Sequence, residues 1–140
     1  MTKAISQRTS EMEWTSASSL KGIFGMDSTY NGSELAWVKL LSDRRADGEG
    51  IAYLLKLCPP DGHMINLVAT SRSDEHSWVL EGGFCDRQGH KRAFPGDYKL
   101  NPTGHSHGAL CAEATVGLVI CSGEPDEVHK FRVLDLPAHI

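Results

Sequence analysis

Residues 95–111, PGDYKLNPTGHSHGALC, place two turn signals around one short apolar run and lead directly into another. Glycine accepts positive φ and proline presets its own, so PGD and NPTG each read as a turn. The same texture extends in both directions. Upstream, AWVKLL (36–41), IAYLLKL (51–57), MINLVA (64–69) and HSWVLEGGF (76–84) are separated by DRRADGEG, PPDG and SRSDE. DRQGH (86–90) follows, and its Asp86-Arg87-Gln88-Gly89 can turn a hairpin. Downstream come ALCAEATVGLVIC (109–121), SGEPDE (122–127) and HKFRVLDL (129–136). Short apolar runs with turns every eight to twelve residues or so predict an all-β sandwich or barrel.

Side-chain alternation supports strands. Ile51, Tyr53, Leu55 and Leu57 share one face, while Lys56 falls on the other. Residues 115–121 are apolar on both faces, as expected of a strand covered on both sides. Residues 1–35 differ, being rich in Ser, Thr, Asn and Gly. They read as an irregular N-terminal arm with a short helix near Ala17 to Phe24, and residues 36–140 read as the barrel. No internal repeat or linker divides the chain.

The net charge of −4 offers no basic surface for phosphates, so a nucleic-acid partner is not expected. No apolar run reaches the roughly 20 residues of a membrane helix, and the N-terminus has no signal-peptide core. A cytoplasmic location is the expectation. Cys58, Cys85, Cys111 and Cys121 form no C-x-x-C pair, so they read as mostly buried free thiols.

The turn pattern resembles the cupin family, whose second motif runs G-x5-P-x-G-x2-H-x3-N. Gly96, Pro102, Gly104 and His107 match it, with Cys111 where Asn is usual. The first motif, G-x5-H-x-H-x3–4-E-x6-G, is matched by Gly62, Glu75 and Gly82, while Val68 and Thr70 occupy its two histidine positions. The likeness runs from about Trp37 to Gly123. Within the family it is nearest to ChrR-type and acetylacetone-dioxygenase-like proteins, through WVKLL, WVLEGGF and NPTGHSH. The resemblance implies a double-stranded β-helix, or jelly-roll barrel, with a ligand pocket between two sheets. It also implies a homodimer to which the arm contributes.

Residues two apart on a strand point to one face, so an H-x-H pair would aim two imidazoles inward. Glu75 and His107 remain as candidate metal ligands and as a candidate catalytic acid–base pair. His105 and His63 could rebuild a ligand set around them, for one divalent transition metal: Fe, Mn, Ni, Cu or Zn. His76 alternates away from Glu75, together with Trp78 and Leu80. Val68, Thr70, Ser77 and Tyr53 are the expected pocket residues. Three functions follow from this reading. The first is a barrel that binds a small organic ligand, its metal site lost or altered. The second is a metal-dependent dioxygenase-like enzyme using Glu75 and His107. The third is a ChrR-like regulatory sensor domain.

Overall fold

The computed structural model describes residues 3–138. Among them there is no α-helix; three 3-10 turns and thirteen strands account for the regular structure. The strands are β1 (Thr15–Ser16), β2 (Thr29–Tyr30), β3 (Ser33–Glu34), β4 (Ala36–Asp43), β5 (Ile51–Leu57) and β6 (His63–Thr70). They continue with β7 (Glu75–Glu81), β8 (Phe84–Cys85), β9 (Lys91–Ala93) and β10 (Tyr98–Asn101). The last three are β11 (Ser106–Cys111), β12 (Thr115–Cys121) and β13 (Glu127–Asp135).

A six-stranded sheet, in the order β1-β4-β5-β12-β7-β10, faces a three-stranded sheet, β11-β6-β13. All pairings are antiparallel. Neighbours in the sheets are mostly not neighbours in sequence. β12, for example, pairs with both β5 and β7. The chain therefore crosses repeatedly between sheets, and residues from distant segments meet inside.

The inward face of β5, with Tyr53 and Leu57, packs with Val119, Cys121, Ile65 and Cys111 in one core. The DRQGH hairpin forms as expected: Gly89 has φ 86°, and Asp86 accepts from the backbone N–H groups of Gln88 and His90. The four cysteines are free thiols, and burial pushes Cys111 and Cys121 up to about 12.

Residues before Ala36 adhere closely to the barrel. Ala17, Ile23, Phe24 and Leu35 are buried within the common core. Of residues 17–24, only Ala17–Ser19 are helical, as a 3-10 turn. The Glu34 carboxylate ties this segment down. It accepts hydrogen bonds from the hydroxyls of Ser16 and Ser28 and from the Ser18 backbone N–H. Burial opposes its charge, yet these donors lower its pKa to about 2. Among the described residues no helix is long and apolar enough to cross a membrane.

Candidate functional site

Between the sheets lies a cavity of about 240 Å³, with walls that include Phe24, Leu55, Leu67, Val79, Phe84 and Val119. Its polar end is built from both sheets. Glu75 begins β7 and Asn101 ends β10, and the two are direct partners in the strand register. Asn101 Nδ2 donates to Glu75 Oε1 at 2.9 Å in buried surroundings. From the opposite sheet comes His107 on β11, while Asp126 lies just before β13, two residues ahead of Val128, which also lines the cavity.

Glu75, His107 and Asp126 each offer a ligand atom, and these atoms lie within 4.8 Å of one another. His107 Nε2 is 2.8 Å from Asp126 Oδ2 and 4.0 Å from Glu75 Oε1. The shorter distance is that of a hydrogen bond, but the geometry is not. His107 Nε2 and Asp126 Oδ1 have no hydrogen-bond partner, and neither does Asn101 Oδ1. Buried polar atoms are nearly always satisfied, so three orphans in one cluster mark a place shaped for something else.

The two carboxyl groups are pushed apart in acidity. Burial raises Glu75, reinforced by the neighbouring Asp126 carboxyl group and its negative charge. Burial also opposes ionisation of Asp126, but the adjacent His107, the neighbouring Glu75 and the charge of Arg72 keep it low.

The expected site residues separate. Tyr53 and Ser77 line the cavity with Glu75 and His107. Val68 and Thr70 do not: Val68 lines a second pocket, with Asn66, Arg87 and Ser106, and Thr70 lines neither. On β6 the inward residues are Ile65, Leu67 and Ala69; Ala69 stands directly opposite His107. Thr70 instead bonds Ser106 and His129 through its hydroxyl. The strand register is one residue away from the motif spacing, and a shift of one exchanges the two faces.

His63 lies elsewhere, its Nδ1 2.8 Å from the Asp61 carbonyl oxygen and its Nε2 3.3 Å from Asp135. His105 is exposed; its ring stacks on that of His107 at 6.3 Å without joining the cluster. His76 does turn away from the interior and stacks with Trp78 and Tyr98. Asp126 is the member that the motifs miss. It lies inside SGEPDE, which reads as a turn, and its one sequence signal is an acidic residue immediately before a strand.

This is a cupin-like β-barrel. The resemblance to solved structures covers nearly the whole chain. A protein of unknown function with a cupin-like fold from Ralstonia eutropha aligns over 91% of this chain and 77% of its own, at 14% identity and TM-score 0.58. The polyketide cyclase RemF from Streptomyces resistomycificus aligns over 99% and 89%, at 18% identity and TM-score 0.52. Fe(II)-HppE aligns over 84% of this chain and 60% of its own, at 12% identity and TM-score 0.51. At such identities the likeness is one of fold. No family model and no curated protein matches the chain.

Proposed function

We propose that the protein binds a small organic ligand in its barrel, next to one divalent metal ion held by Glu75, His107 and Asp126. The observation that carries this reading is the pairing of His107 Nε2 with Asp126 Oδ2 at 2.8 Å while neither Nε2 nor Asp126 Oδ1 has a hydrogen-bond partner. Lone pairs that converge closely without a proton aligned between them suit a shared cation. One imidazole and two carboxylates form a harder set than several imidazoles, which favours Mn(II), Fe(II) or Zn(II) over copper.

The residues around the ligand set have separable tasks. Asn101 fixes the Glu75 carboxylate by donating to Oε1. Such supporting hydrogen bonds orient ligands and are costly to lose. Ala69, opposite His107, and Leu67, opposite Ala109, line the β6 side and supply no side-chain donor of their own. The apolar walls exclude water around the body of a bound molecule. When bound, the ion polarises a ligand oxygen and, as Fe(II) or Mn(II), offers redox chemistry.

Two observations support the enzyme form of this reading: among the described residues three protein ligands converge, and one structure of similar fold is Fe(II)-HppE. Elemental analysis of untagged protein after loading with Mn(II), Fe(II) and Zn(II) tests the metal site. About one ion per chain is expected, lost in both Asp126→Asn and His107→Ala. Absence of metal after every loading would sink the proposal and leave a metal-free pocket. If metal is present, oxygen uptake with 1,3-diketones as probes separates a dioxygenase from a binding protein.

A further inference from the structure

Next to the polar cluster the cavity carries a second recognition element. β10 and β7 are in register, with Asn101 opposite Glu75 and Lys99 opposite Ser77. Alternation puts Lys99 on the same inward face as Asn101, and both line the cavity, as does Ser77. Tyr98, one residue before Lys99, is on the other face, stacked with His76 and tilted against Trp78. The inner surface is thus a two-step ladder: Asn101 and Glu75 at the deep level, Lys99 and Ser77 one strand repeat toward the mouth. Two residues along a strand separate the levels by roughly 7 Å.

Among the described residues, Lys99 is the only Lys or Arg that lines the cavity. Among the described residues, its ammonium has no ion-pair partner and the Ser77 hydroxyl has no hydrogen-bond partner. Lys99 is also exposed, so an anion there keeps contact with water and escapes most of the cost of burial.

From this ladder we infer that the ligand is a small monocarboxylate bearing a second, uncharged oxygen. Its carboxylate sits between Lys99 and Ser77, its carbon chain lies along the apolar wall, and its keto or hydroxyl oxygen reaches the Glu75–His107–Asp126 level. A single ammonium matches a single negative charge. A phosphate dianion would carry a second charge that one ammonium leaves unmatched at the Lys99 level. The inference rests on the proposed cation site for its deep end only.

Three probes on one skeleton test it: 5-oxohexanoate, its methyl ester, and hexanoate. Affinities are measured by calorimetry on the full chain loaded with Mn(II). The wild type is expected to bind 5-oxohexanoate roughly tenfold more tightly than the ester, the effect of one charge-assisted contact. K99M removes that difference without changing the melting temperature of the ligand-free protein, and K99R retains it. D126N removes the preference for 5-oxohexanoate over hexanoate but keeps the preference for acid over ester. Equal binding of acid and ester, an unchanged preference in K99M, or no binding of any probe at millimolar concentration overturns the carboxylate assignment. An unchanged keto preference in D126N overturns the deep-end contact and leaves the Lys99 assignment standing.

Discussion

Asn101 donates to Glu75 across two directly paired strands, at 2.9 Å, with both side chains buried. The donor thereby sets which way the carboxylate faces. Replacing Asn101 with Leu leaves a buried carboxyl group without this partner. The expected loss is about 1–3 kcal/mol, measured by urea denaturation. Metal affinity should fall alongside it. A variant as stable as wild type would show that the hydrogen bond is not a support for the site.

A cation held by Glu75, His107 and Asp126 binds only the folded chain. With free metal at a hundred times its dissociation constant, stabilisation should be about 2.7 kcal/mol, and a chelator should reverse it. D126N should melt at the same temperature with and without metal. The comparison is made by differential scanning calorimetry at fixed protein concentration.

The inward position of Ala69 makes a sharper test of register. Ala69 is the direct partner of His107, whereas Val68 pairs with Gly108 and lies outside the cavity lining. Ala69→His should therefore add a fourth ligand and tighten metal binding by about tenfold or more. Val68→His should not change it. Competition titrations with a chromogenic chelator distinguish the two, and a stronger effect at Val68 would refute the register described here.

Glu34 links the N-terminal segment to acid stability. Its folded-state pKa is depressed from 4.5 to about 2 by hydrogen bonds from Ser16, Ser28 and the Ser18 backbone, although burial acts the other way. A depressed pKa means that the contribution is fully present above 4.5 and is lost as pH falls toward 2. Thermal melts across that window should show falling stability in the wild type and a flatter profile in Glu34→Gln.

Glycines of the motif framework are expected to differ in tolerance. Gly82 has φ +70°, and a Cβ there would lie 2.2 Å from the Ala114 carbonyl oxygen. Gly96 has φ +94° with no atom within 4 Å of the same construction. Gly96→Ala should cost about 1–2 kcal/mol for the left-handed backbone alone. Gly82→Ala should cost clearly more, about 3 kcal/mol or above, because backbone must also move. Equal costs by chemical denaturation would contradict the close approach.

Legibility of the chain differed by the range over which each feature is set. Strand content and turns were readable because alternation and the chemistry of Gly, Pro, Asn and Asp act within a few residues. The DRQGH hairpin, formed around Gly89 and Asp86, is an example. His107 and Glu75 were singled out by motif spacing, and the structure does bring them together. The inward face of β6 was misread by one residue. Spacing counts residues along the chain, whereas the face is decided by pairing with β11 and β13, where a bulge interrupts the register between Val128 and Lys130. The arm was also underestimated, because Ile23 and Phe24 look scattered in sequence yet lie in the core.

By itself, then, the amino-acid order determined an all-β chain, most of its turns, and two acid–base residues worth pursuing. All of these depend on local backbone preference or on fixed offsets. Tertiary structure alone decided that Asp126 joins His107 and Glu75, that Ala69 rather than Val68 faces them, and that Lys99 shares their cavity. The crossings between sheets bring these groups together from distant segments, and no local signal encodes which distant side chain will stand opposite.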